Sequence, residues 1–148
     1  MHNFICESQE EFRSELLLVL EQAAIKRKLG FFENSKFENP NGGKSLTATW
    51  EIYDEFDQKS RAIIIAKFQK SSGTTEEKLL FEVVRCLEFF EHDSRFQKAW
   101  IILGGYGWNE NFIHFIENRL FLWIPKMKGK VEIVCRRVHF EEIDFAKF

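Results

Sequence analysis

Lys67, Gln69 and Glu82 are the residues whose types and spacing carry chemistry in this chain. An ammonium and an amide stand two positions apart on a β-branched run, and fourteen residues separate the lysine from a carboxylate on an amphipathic stretch. In AIIIAKFQKSSGTTEEKLLFE (62–82), strand alternation puts Ile63, Ile65, Lys67 and Gln69 on one face. An ammonium inside a buried strand is costly unless it is paired or reaches water, so Lys67 asks for a carboxylate or a cleft. The preceding strand offers Glu51 and Asp54. With a hairpin loop of about three residues Glu51 lies opposite Lys67, and a one-residue slip brings round the face of Asp54. Glu51 shares the polar face of its strand and is the preferred partner. Glu82 has a plainer reading as well: it stands four after Lys78 and three before Arg85, the spacing of a surface ion pair worth a few tenths of a kcal/mol.

The elements that must position these residues follow from local patterning. Ser8 and Glu11 form a capping box, and Phe12, Leu16, Val19, Leu20 and Ala23 recur at helical spacing, which predicts a helix over 9–28 that Gly30 stops. Its acidic start and its Lys26-Arg27-Lys28 end complement the helix dipole. Residues 31–45 read as a long loop. Leu46 to Phe56 alternates as a strand, with Leu46, Ala48, Trp50, Ile52 and Phe56 on one face. A polar turn at 57–60 leads to a second strand, 62–69, whose uninterrupted Ala62 to Ile65 is the mark of a strand covered on both sides. Thr74 or Thr75 caps a helix to about Glu91 that presents Leu79, Val83, Cys86 and Phe90. A strand over 99–103 ends in Gly104-Gly105-Tyr106-Gly107-Trp108, a helix covers 110–120, a lysine-rich loop 125–130, and a last strand 131–136. The segment 140–148 is a short helix or an extended edge.

The order α-β-β-α-β-α-β implies an α/β or α+β sandwich with a mixed sheet. At 148 residues the chain makes one domain, 1–148, with a composition of 45% hydrophobic and 30% charged residues that suits a globular core. No apolar run is long enough to span a membrane. Cys6, Cys86 and Cys135 are odd in number and far apart, which suits free thiols in a reducing cytoplasm. The net charge of −2 argues against holding nucleic acid by global charge, so any such surface must come from local clusters: Lys26 to Lys28, Lys126 to Lys130 and Arg136-Arg137. The Gly-Gly-Tyr-Gly turn lacks the lysine and serine of a phosphate-binding loop, so no nucleotide cofactor is expected. Tyr106 and Trp108 are candidates to stack on a base or to anchor the core. His92, His114 and His139 show no ligand spacing.

A hairpin with an acid on its first strand and a lysine motif on its second, followed by a helix, resembles the PD-(D/E)XK nuclease superfamily. More locally, IAKFQKSSGTTEEKLLFE and the later ILGGYGW are similar to bacterial restriction-like members, in which a Ser-x-Lys-x-Gln strand precedes a Ser-Gly-Thr turn and Glu-Lys. The resemblance covers roughly residues 46–140. It implies a restriction-endonuclease-like mixed β-sheet flanked by helices, and a site in which acids hold Mg²⁺ (or Mn²⁺) while the lysine stabilises charge at the phosphate or orients the attacking water. Glu51 or Asp54 and Glu82 are then the metal ligands, and Gln69 is an accessory that positions water or phosphate. One departure stands out: the acid expected two residues before Lys67 is Ile65, which cannot bind a metal. In some members that acid sits on the following helix, where Glu82 stands here. Glu15 on the first helix is a further candidate ligand.

The function so implied is Mg²⁺-dependent DNA endonuclease activity, with restriction as its natural setting. A homodimer is expected if both strands are cut, because two-fold DNA then meets one site per subunit. The alternative is a nuclease fold that has lost its site at Ile65 and binds DNA or a protein partner.

Overall fold

The computed structural model describes residues 6–39, 41–71, 73 and 75–135. Thr74, Arg136-Arg137, His139 and the segment 140–148 lie outside the described residues. The helix α1 runs Gln9–Arg27 and starts as its capping residues require: Ser8 Oγ accepts from the Glu11 N–H at 3.2 Å, and the Glu11 carboxylate accepts from the Glu7 N–H at 2.9 Å. It ends one step before the expected stop. Lys28 takes the left-handed conformation (φ 56°) and donates its N–H to the Ala24 carbonyl, so the exposed basic triplet caps the helix.

Gly30 therefore does not terminate α1. It lies inside a strand, β1 (Leu29–Phe37), where the expected loop 31–45 begins. The Tyr53 ring occupies the space that a Gly30 side chain would need, within 2.5 Å of an added Cβ. β1 was not legible as a strand because it is the sheet's edge. Only Leu29 is buried, and its middle, Phe32 to Asn34, faces water, so no burial rhythm is imposed on its sequence.

β1 pairs antiparallel with β2 (Leu46–Asp54), which pairs antiparallel with β3 (Ser60–Phe68). Helix α2 (Thr75–His92) then crosses to β4 (Lys98–Gly104), parallel to β3, and α3 (Glu110–Asn118) with the short α4 (Leu120–Trp123) crosses to β5 (Val131–Cys135), parallel to β4. The sheet order is β1-β2-β3-β4-β5. This is the mixed, helix-flanked α+β sheet that the sequence implied, with one strand more at its edge. The helix expected over 110–120 is broken after Asn118 into α3 and α4.

Two cores lie on opposite faces of the sheet. Ile63, Ile65, Ile101 and Leu103 pack with Leu79, Val83 and Cys86 of α2 and Ile113 and Ile116 of α3. Ala62, Ile64, Trp100 and Ile102 pack with Phe12, Leu16 and Leu20 of α1. The central strands are covered on both sides, as the run from Ala62 to Ile65 demands, and each buried isoleucine contributes roughly 1.5–3 kcal/mol. β2 departs from the single apolar face expected of it. Leu46 and Ala48 join the α2 core while Trp50 and Ile52 join the α1 core. The switch falls where Asn34 of β1 takes a left-handed φ of 55°, between the Glu33–Trp50 and Ser35–Ala48 pairs. Phe56, expected in the core, is 87% exposed because β2 stops at Asp54 and the turn begins there.

Candidate functional site

Lys67 is the next-to-last residue of β3, paired with Leu103 of β4. It shares the parity of Ile63 and Ile65 and so emerges on the α2 face. There it meets Glu82, two turns into α2. Lys67 Nζ lies 3.7 Å from Glu82 Oε1, and Arg85 Nη1 lies 3.1 Å from Glu82 Oε2. Glu82 is 7% exposed, whereas the Lys67 and Arg85 side chains keep about a third of their surface in water (33% and 28%). One buried carboxylate thus carries two partly exposed cations. The surface-pair reading of Glu82 is correct about Arg85 and incorrect about the surface. Its burial was legible: Leu79, Glu82, Val83 and Cys86 stand at i, i+3, i+4 and i+7, which places the carboxylate on the core stripe.

The dryness of that stripe shows in the neighbouring thiol. Burial pushes the Cys86 thiol well up, and Glu82 adds to the shift while Arg85 and Lys67 oppose it. On the other face, burial and then the charges of Glu11 and Glu15 raise the Cys6 thiol to about 12. Both groups stay neutral thiols at physiological pH. Glu15 belongs to that α1 face and lies across the sheet from Lys67.

The expected partnership of Glu51 with Lys67 is corrected by the hairpin register. Glu51 pairs with Ile63, not with Lys67, and its carboxylate accepts from the Ser60 hydroxyl. Lys67 lies four residues further along the strand than Ile63, about 13 Å at ~3.3 Å per residue. Asp54 is farther still, at the turn: its N–H donates to the Lys59 carbonyl, it pairs with Leu29 of β1, and its carboxylate accepts the Phe56 N–H at 2.7 Å. The physical reason is the loop, which spans Glu55 to Lys59 and has Gln58 in a left-handed φ of 62°. A β-bulge at Ile52/Tyr53 changes the pairing by one residue, from Tyr53 opposite Ser60 to Ile52 opposite Ala62, too little to bring Glu51 to Lys67. At the Lys67 end of the hairpin stands Thr49, whose Oγ1 accepts the Ala66 N–H at 2.9 Å. Among the described residues no group of three or more His, Cys, Asp and Glu side chains is placed to hold a metal ion.

Gln69 is buried and serves the scaffold. Its Nε2 donates to the Gly107 carbonyl at 2.8 Å, its N–H donates to the Gly104 carbonyl, and its own carbonyl accepts from the Gly107 N–H. The glycine-rich turn is thereby knotted onto the end of β3, beside Lys67. Trp108 closes it from the core side, 3% exposed and donating Nε1–H to the Gly104 carbonyl at 2.8 Å, while Tyr106 is half exposed. Gly105 makes the knot possible: its φ is +89°, and a Cβ there would sit 2.3 Å from the Gln69 carbonyl oxygen. Gly105→Ala is therefore expected to destabilise the protein by about 3 kcal/mol, measured as a lowered denaturation midpoint. A variant as stable as the parent would show that this turn does not hold the strand end.

The remaining candidates are placed as follows. His92 approaches Asn41 at 3.3 Å and His114 contacts Asn118, both exposed. In the loop expected to be basic, Lys126 pairs with Glu91 at 3.2 Å and Lys128 lies over the Phe121 ring. No described helix is long and apolar enough to cross a membrane, and the cysteines described are all free.

An antiparallel meander joined to parallel strands in one five-stranded sheet, flanked by helices, is the α+β architecture of a restriction-endonuclease-like fold. A family model described as the PD-(D/E)XK nuclease superfamily domain matches residues 43–134, from just before β2 to the end of β5, and the chain belongs to that superfamily. No curated protein and no solved structure matches the chain.

Proposed function

We propose that this protein is a divalent-metal-dependent nuclease that hydrolyses DNA phosphodiester bonds at the Lys67–Glu82 cluster, with restriction of DNA as its setting. The observation that carries the reading is the buried Glu82 carboxylate drawn to a strand-end lysine, in a superfamily of nucleases. Lys67 offers a partly exposed positive charge that would stabilise the charge developing on a phosphate under attack. Glu82 supplies the hard oxygen donors that suit Mg²⁺ or Mn²⁺. Mg²⁺ keeps several waters and is commonly held by one or two carboxylates together with substrate phosphates. The donor set here fits that mode and not a preformed protein cage. The metal would supply a polarised water and charge neutralisation at the phosphate. Gln69 contributes by fixing the strand end rather than by touching substrate. Glu51 and Asp54 have no part in this arrangement. If both strands are cut, two copies of the chain act on two-fold DNA.

One observation favours a second reading, a nuclease fold that binds DNA or a protein partner without cutting. Ile65, at the motif's acid position, is fully packed in the α2 core, and Glu82 is already neutralised by two cations. Purified protein incubated with mixed linear, supercoiled and single-stranded DNA, in Mg²⁺ or Mn²⁺ and in chelator, separates the two. Cleavage that requires the metal supports the nuclease. Intact DNA under every condition, with retained binding, leaves the binding module.

A further inference from the structure

A single buried carboxylate is balanced by one cation, yet Glu82 has two. The surplus positive charge faces outward, on side chains that are about one-third exposed. Arg85 spends one nitrogen of its guanidinium on Glu82, and this is its only ion pair among the described residues. A guanidinium carries five N–H donors in a planar fork that matches phosphate oxygens. Beside it lies a shallow groove between α2 and the loop joining β1 to β2, with Arg85, Lys44, Glu38 and Glu88 along its sides over a floor of Phe37, Leu46 and Phe89.

That loop is held in place over α2. Asn39 Nδ2 donates to Glu88 at 3.4 Å, Asn39 Oδ1 accepts the Asn41 N–H at 2.8 Å, and Asn41 reaches His92. Lys44 is thereby presented at the groove, exposed and without an ion pair among the described residues. Two carboxylates also line the groove: Glu88 accepts from the neutral Asn39 amide and keeps its charge, and Glu38 faces the exposed Lys36 at 4.0 Å.

We propose that Arg85 and Lys44 bind the backbone phosphates flanking the one at Lys67, so that the nucleic-acid strand runs from the end of β3 across Glu82 into this groove. The proposal rests on the nuclease reading and names the path of its substrate. It also fits the net charge of −2: the phosphate contacts are three local cations, Lys67, Arg85 and Lys44, and not a basic surface.

Fluorescence anisotropy with a labelled duplex and a labelled single strand, in EDTA and again in Ca²⁺, over a series of salt concentrations, tests it. Lys44→Ala and Arg85→Ala are each expected to weaken binding several-fold and to lower the slope of log affinity against log salt by about 0.9 on duplex or about 0.7 on single strand. Arg85→Lys keeps the slope and loses part of the affinity, since an ammonium lacks the fork. Lys44 lies on an exposed loop, so its variant is expected to melt with the parent and keeps the test valid if Arg85→Ala proves unstable. Unchanged salt slopes in both alanine variants of a protein that binds and cuts DNA would overturn the path and leave the nuclease standing. A parent protein that neither binds nor cuts any nucleic acid removes the nuclease reading itself, and the path with it.

Discussion

Lys67→Ala is expected to lower the rate of metal-dependent DNA cleavage by about 10²–10³, the loss seen when one preorganised electrostatic stabiliser is removed from a phosphate or acyl centre. The fold should survive it. Arg85 still holds Glu82 at 3.1 Å, so the carboxylate is not left buried and alone, and the stability cost should be about 1 kcal/mol. DNA affinity should fall much less than the rate, since one of several phosphate contacts is lost. Single-turnover cleavage, anisotropy and thermal melting on the same preparation check the three quantities together. A variant that cuts at the parental rate would remove Lys67 from the chemistry. One that melts far below the parent would make the lysine a folding residue first.

Glu82→Gln acts differently, because it removes the charge that both cations share while keeping shape and burial. Breaking a fully buried pair costs about 3–5 kcal/mol. Lys67 and Arg85 each retain access to water and can rehydrate, so the expected cost here is nearer ~2 kcal/mol. Cleavage should fall at least as far as in Lys67→Ala, and raising Mg²⁺ or Mn²⁺ should recover part of it, since a neutral amide still offers an oxygen to the cation. Full cleavage in a variant with a lowered melting point would show that Glu82 only organises Lys67 and Arg85. The metal would then be held by groups other than the one carboxylate this cluster provides.

The contrast between these variants turns on Arg85, which sequence reasoning treated only as a surface partner of Glu82. Its spacing, three residues after a carboxylate on the core stripe, was a usable signal. What made it significant, a groove and a loop lysine beyond it, was not in the local sequence.

The sequence by itself determined the central strand, because four apolar residues in a row leave no solvent face. It determined that Lys67 follows them on the parity of Ile63 and Ile65. It also determined α2, where Leu79, Glu82, Val83 and Cys86 share one stripe, so that a carboxylate was bound to face the sheet. Periodicity is a local property, and burial writes it into neighbouring residues. The tertiary structure decided what periodicity cannot encode. β1 is an edge strand held by backbone pairing with β2, with a middle that faces water, so nothing in its side chains marks it as a strand. The hairpin register was set by a five-residue turn, a bulge and a left-handed Gln58, and a two-residue shift in where β2 ends was enough to move Glu51 from opposite Lys67 to opposite Ile63. Which carboxylate meets the lysine is therefore a question of long-range pairing and helix packing, and the fold answers it with Glu82.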